Sequence, residues 1–396
     1  MKKVKLRSEE WFNNPKDPGL TALYLERYLN YGLKREDLQS GKPIIGIAQS
    51  GSDLSPCNRH FLALSKIIKE GIVEAGGVPM EFPTHPIQET GKRPTAALDR
   101  NLSYLSLVEV LYGYPIDGVI LTTGCDKTIP AALMAAATVN IPSIVLSGGP
   151  MLDGSYKGKK AGSGTIIWEA RKLHAKGEIT YDEFMDMATA SAPSIGHCNT
   201  MGTASTMNSI AEALGMSLTG SAIIPAPYKE RENISYKTGK RIVEMVHEDL
   251  TPSKIMTKKA FENAVYVASA IGGSSNCPPH LTSIARHMGI DFGLDNWGKL
   301  GHGIPLLANC QPAGEHLMEG FFKAGGVPAI MQELMKNNKL NRNAMTVTGK
   351  TIEKNLKIII NVDQDVIKTF KNPLVKNAGF IVMKSNFFSS AVMKTS

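Results

Sequence analysis

Three short stretches place a cysteine beside groups that metal sites use. In Thr122-Thr123-Gly124-Cys125-Asp126-Lys127-Thr128 the cysteine stands where a buried strand hands over to a helix. A cysteine near a helix N-terminus is favoured as thiolate, the form that binds a soft metal. Asp126 beside it is a hard oxygen donor suited to Mg²⁺. Lys127 is a nitrogen nucleophile once desolvated. In Gly196-His197-Cys198-Asn199-Thr200-Met201-Gly202, small and hydroxyl residues let backbone approach a ligand closely. In Ser55-Pro56-Cys57-Asn58-Arg59-His60 the proline fixes a turn, and Arg59 is either a carboxylate partner or a first-turn surface residue. Taken singly, each stretch reads equally as a buried structural cysteine at a helix start. Cys277 and Cys310 lack an adjacent metal-type partner and read as structural. No two cysteines form a C-x-x-C pair, which argues against a zinc ribbon or a thioredoxin-type site.

The elements that must position these residues alternate. Pro43–Ala48, Val78–Phe82, Gly118–Thr123 and Ser143–Ser147 are short apolar runs that read as buried strands. Helical periodicity separates them at about 59–74, 96–111 and 129–138. This predicts an α/β fold with a mostly parallel sheet flanked by helices, and ligands bind at the carboxyl ends of such strands. From about 166 to 284 the pattern is mainly helical, with one more strand at 304–308 and one or two helices at 315–336. Lys336-Asn337-Asn338-Lys339 marks a polar boundary. Beyond it, Lys357–Ile360 and Phe380–Met383 read as strands of a new β-rich unit. The resulting division is 1–340 and 341–396.

Hydrophobic residues make up 42% and charged residues 20% of the 396, the balance of an ordinary globular chain. No run of about 18 apolar residues suggests a membrane span. The basic N-terminus has no apolar stretch behind it, so a cytoplasmic chain without a secretory signal is expected. The net charge of +8 is spread over dispersed Lys and Arg rather than basic blocks. That pattern disfavours nucleic acid as a partner and leaves some attraction for an anionic substrate. Strand–helix alternation alone would suit a nucleotide binder, but no G-x-G-x-x-G follows the first strand.

The blocks at 55–60, 123–130 and 196–207 resemble the signatures of the dihydroxy-acid and sugar-acid dehydratase family, and the resemblance runs from Arg7-Ser8-Glu9-Glu10-Trp11-Phe12 to the last residues. Gly196–Ala204, Ile223–Tyr228 and Pro312–Leu317 are similar to its sugar-acid branch, the D-xylonate dehydratases in particular. The resemblance implies a hydro-lyase that converts an aldonate such as D-xylonate or L-arabinonate to a 2-keto-3-deoxy acid. It implies a [2Fe-2S] cluster on Cys57, Cys125 and Cys198, with one iron position open to a substrate hydroxyl. It further implies Mg²⁺ on Glu89, Asp126 and Lys127, the lysine carried as a carbamate, and a homo-oligomer, dimer or tetramer. The serine base and another Mg²⁺ carboxylate are expected beyond Ser396, in a barrel-like C-terminal domain of which 341–396 would be only the beginning. Two alternatives stand beside this reading. One is dihydroxy-acid dehydratase of branched-chain amino-acid biosynthesis, and the other is a truncated, cluster-binding but inactive member of the family.

Overall fold

The computed structural model describes residues 4–92, 95–358 and 360–396. Four parallel strands, β1 (Ile44–Gln49), β2 (Val78–Pro83), β3 (Gly118–Thr123) and β4 (Ser143–Ser147), form a sheet in the order β2-β1-β3-β4. Every residue of β1, β3 and β4 is buried, whereas the edge strand β2 is largely part-exposed. Burial on both faces is why β1, β3 and the other edge strand, β4, are largely apolar runs rather than alternating ones. The connecting helices are α1 (Phe61–Glu74), α2 (Ala97–Gly113) and α3 (Thr128–Val139).

A helical region follows, in which α4 (Thr203–Ala213), α5 (Lys229–His247), α6 (Lys258–Ala270) and α7 (Cys277–His287) are the main elements. Helix α1 packs on β1 and β2, α5 packs on β3 and β4, and the two helices lie against each other. They touch backbone to backbone at two glycines. A Cβ on Gly71 would stand 2.2 Å from Tyr236 O, and one on Gly239 would stand 2.3 Å from Ile68 O. Helix α3 is buried along almost its whole length, with α2 and α7 both packed against it. Buried residues of the sheet and of α1, α3, α4, α5, α6 and α7 share one core.

The sequence expectation is met at the four sheet strands to within a residue or two. Three local differences have physical reasons. The opening segment contains a helix at Pro18–Leu29, started by Pro18 and capped by Asp17, which accepts from Leu20 N. The expected strand at 304–308 ends at Leu306, because the amides of Leu307 and Ala308 turn to Ala270 O. The strand expected at 357–360 includes Ile359, which lies outside the described residues. Lys357, Ile358 and Ile360 are not in strand conformation, and Gln332 Nε2 takes the carbonyls of Leu356 and Ile358.

Further strands are short. β5 (Gly154–Tyr156) and β6 (Lys159–Ala161) make a hairpin. β7 (Ile304–Leu306) pairs with β8 (Val375–Ala378), and β9 (Phe380–Met383) pairs with β10 (Ala391–Lys394), all antiparallel. Two helices, α8 (Met318–Lys323) and α9 (Gly326–Lys336), fill the span expected to hold one or two. Among the described residues no helix is long and apolar enough to cross a membrane.

Candidate metal centre

The carboxyl ends of the strands gather the chemistry. Ser50–His60 leads from β1 to α1 and carries Cys57, while Gly124–Lys127 leads from β3 to α3 and carries Cys125, Asp126 and Lys127. After β4, Pro150 pairs with His197, and Met151 N donates to His197 O at 2.9 Å. That bridge brings Cys198 in from a segment about fifty residues downstream.

The first two loops are locked together by Asn58, whose Oδ1 accepts from Cys125 N at 2.9 Å. Gly124 leaves the room for it, since a Cβ there would stand 2.3 Å from that same oxygen. Thr128 Oγ1 donates to Cys125 O at 2.6 Å and accepts from Gly124 N at 3.1 Å, closing the turn into α3.

All five cysteines are free thiols. A hydrogen bond with Cys125 holds the Cys57 thiol down to about 7, with Gln88 Nε2 donating to Cys57 Sγ at 3.4 Å. The same bond, followed by burial, pushes Cys125 well above the ordinary thiol range. The pair therefore releases one proton readily and holds the second. Burial pushes Cys198 up to about 12, and the charges of Cys57 and Asp126 add to the effect. Cys277 and Cys310 are also raised by burial, but they sit in apolar cores.

Beside the thiols lies a hard-donor group. Glu89 opens a short turn, and Lys127 Nζ stands 3.0 Å from Glu89 Oε2 and 3.2 Å from Asp126 Oδ2. The Lys127 side chain is 7% exposed. Its burial opposes the charge, yet Asp126 and Glu89 outweigh that and raise its pKa. Asp126 is itself raised, chiefly by burial. Glu89 Oε2 is buried against the Lys127 ammonium, its partner among the described residues. Among the described residues no three His, Cys, Asp or Glu side chains are drawn around one point as a ready mononuclear site. What the fold does assemble is a hydrogen-bonded Cys57–Cys125 thiol pair, with Cys198 near enough to feel the charge of Cys57, next to two carboxylates whose shared cation is a lysine.

Asn58 and Gln88 gave no sign of their roles in the sequence, because each acts on a thiol loop far along the chain. Arg59 lies exposed just ahead of α1 and pairs with the Asp53 carboxylate at 2.6 Å, so it is both a surface residue and a carboxylate partner. Behind the site, fully buried Arg231 donates from Nη1 to Ser147 O at 2.5 Å and from Nη2 to Ile224 O, and burial lowers it to about 9. His197 Nδ1 meets Cys198 O at 3.0 Å, and His60 Nε2 meets Gly148 O at 2.9 Å.

Burial sets a pH dependence. Desolvation holds His60 at about 4 and His197 and His280 at about 3, against 6.5 unfolded, and it raises Glu212 to about 7 against 4.5. A depressed histidine stabilises above its unfolded pKa and loses that contribution as pH falls. A raised glutamate acts in the opposite sense between its two values. From about pH 7.5 to about pH 5 the histidines cost about 2 kcal/mol each and Glu212 returns about 2 kcal/mol. The unfolding free energy of the metal-free chain should fall by about 4 kcal/mol over this interval. Urea midpoints against pH check this, and a midpoint that rises toward about pH 5 would contradict it.

Residues 42–355 match the family described as dihydroxy-acid/6-phosphogluconate dehydratase, N-terminal. The chain belongs to this family. Among relatives of the dehydratase family, a D-xylonate dehydratase of Caulobacter vibrioides is 58% identical over 99% of this chain and 66% of its own length. An L-arabinonate dehydratase of Rhizobium leguminosarum bv. trifolii is 44% identical over 99% of this chain and 67% of its own. A dihydroxy-acid dehydratase of Halothermothrix orenii is 36% identical over 91% and 66%. The chain thus spans about two thirds of the length of these dehydratases.

Proposed function

We propose that the chain carries the metal-binding part of a dehydratase active site that removes water from a sugar acid, an aldonate such as D-xylonate or L-arabinonate. The observation that carries this is the Cys57–Cys125 thiol pair, with Cys198 within reach of its charge, beside the Glu89–Lys127–Asp126 group at the carboxyl ends of the sheet. Sugar acid is preferred because the aldonate enzymes are 58% and 44% identical to the chain and the dihydroxy-acid enzyme 36%.

The donors fit two groups. Cys57, Cys125 and Cys198 would hold a [2Fe-2S] cluster, whose two irons do not require three ligands at one point. Glu89, Asp126 and a carbamate on Lys127 would hold Mg²⁺, an all-oxygen donor set of the kind this hard cation takes. Bound there, these groups supply Lewis acidity toward a departing hydroxyl and toward the substrate carboxylate. The chain's own residues shelter the Cys125–Lys127 loop and keep the site in register. Cys125, Asp126 and Lys127 are each less than a tenth exposed. Asn58 and Thr128 fix the loop that bears them, and Gln88 orients Cys57. In the net reaction the substrate loses its C2 proton and C3 hydroxyl as water, and the enol left behind becomes a 2-keto-3-deoxy acid. The base for the C2 proton is assigned to none of the residues gathered here.

The test is to load the full chain with iron, sulfide and Mg²⁺ and to assay 2-keto acid from D-xylonate, L-arabinonate and 2,3-dihydroxyisovalerate. Keto acid from an aldonate is the expected result. Turnover of dihydroxyisovalerate alone would move the chain to the amino-acid branch. Iron bound with no turnover would mark it as inert, and no iron bound would overturn the site.

A further inference from the structure

Helix α2 is apolar on two faces. Its buried face carries Asp99, Ser103, Leu107 and Leu111, and the two leucines belong to the core shared with the sheet and α3. The opposite face carries Leu98, Leu102, Leu105 and Tyr112, which are 74%, 54%, 58% and 57% exposed. A helix lying on a globular core ordinarily turns polar and charged residues outward. Here Glu109 is the one charged residue in the outward row. The positions 98, 102, 105, 109 and 112 are four, three, four and three residues apart, the spacing of a seam between two helices. Among the described residues no other helix carries four exposed large apolar side chains. The surface of this chain that matches the row is therefore the same row on a second copy.

Charge sets the direction. Parallel α2 helices would put Glu109 against Glu109 of the second copy. Antiparallel ones, with Leu102 opposite Leu105, put Glu109 opposite Leu98, at the first turn of the other helix. The free amides of a first turn carry positive partial charge. Arg100 stands in that turn, with Nη2 2.9 Å from Oδ1 of the exposed Asn101 and Nη1 3.1 Å from His280 Nδ1. We propose that the outer face of α2 docks α2 of a second copy of this chain, antiparallel about a two-fold axis near Ser103 and Tyr104. Such a contact is self-complementary, so it covers both rows at once and closes.

Sedimentation equilibrium of the full chain is the test. The wild-type chain should dimerise with a constant on the order of micromolar, because one helix row buries less than the about 800 Å² per partner of a standard interface. Leu102→Glu combined with Leu105→Glu should weaken the dimer at least about a hundredfold. The thermal melt of the monomer should be unchanged, since both side chains are more than half exposed. If that double variant melts early, Leu105→Ser takes its place and should weaken the dimer about tenfold. Leu98→Lys and Leu98→Glu read the direction. Opposite Glu109, the lysine chain should dimerise more tightly than the glutamate chain, by on the order of threefold. In a parallel pair position 98 meets its own copy, so both charges repel alike and the two constants agree. Equal constants would therefore overturn the antiparallel setting. A wild-type chain that stays monomeric well above micromolar concentration would overturn the surface, as would folded Leu102 and Leu105 variants that dimerise like the wild type.

Discussion

Cys125→Ser is expected to leave the chain folded, to reduce iron bound after reconstitution to below about a tenth, and to lower dehydration by at least about a thousandfold. The fold should survive because the change is nearly isosteric and what anchors the loop is backbone. Cys125 N donates to Asn58 Oδ1, and Cys125 O accepts from Thr128 Oγ1. Neither contact uses sulfur. The metal function should fail because a serine hydroxyl neither ionises near neutral pH nor offers a soft donor. Cys125 is also the thiol that lowers Cys57, so its loss raises the neighbour's pKa as well. Cys277→Ser provides the contrast within one chain. It puts a hydroxyl into an apolar core, so it should cost stability and leave iron binding unchanged. Iron and sulfide content with a thermal melt for each variant decides the matter. Wild-type iron in Cys125→Ser would remove Cys125 from the ligand set.

The sheet was legible in the sequence because three of its strands are buried on both faces, which forces largely apolar runs at Ile44–Gln49, Gly118–Thr123 and Ser143–Ser147. The same rule misreads Lys357, Ile358 and Ile360. An apolar run there has the composition of a strand, but its neighbouring carbonyls are claimed by a side chain, Gln332, that no local pattern announces. The cysteine loops were legible through their neighbours, since Asp126 and Lys127 are adjacent in sequence to Cys125. Glu89 was legible only through family resemblance, because one carboxylate in a loop carries no local signal. The Asn58–Cys125, Gln88–Cys57 and Arg100–His280 contacts were not legible at all. They join residues 67, 31 and 180 positions apart, and topology creates them rather than spacing.

Lys127→Arg separates charge from chemistry at the hard-donor group. Arginine keeps a cation between Glu89 and Asp126 and matches carboxylates with a forked donor pair, so stability should stay within about 1 kcal/mol of wild type. A guanidinium remains protonated throughout the accessible pH range and has no free amine with which to take up CO₂. Dehydration should therefore fall by at least about a thousandfold, and Mg²⁺ should bind far more weakly, in a chain that melts normally. Lys127→Met should lose activity equally but fail differently. It strips the shared cation from two carboxylates beside a side chain only 7% exposed. Breaking a buried pair in this way costs about 3 kcal/mol. Asp126 is already raised by burial, and without Lys127 it rises further. A carboxylate raised in the folded state stabilises at low pH and loses that contribution as pH climbs through its raised value, so the Lys127→Met deficit should be full at neutrality, shrink as pH falls through that value and be smallest by about pH 4. Activity lost in both variants with stability lost only in the methionine one is the pattern a carbamylated lysine requires. A Lys127→Arg chain that dehydrates aldonates at the wild-type rate would show that the lysine serves only as a cation, and the carbamate would have to be abandoned.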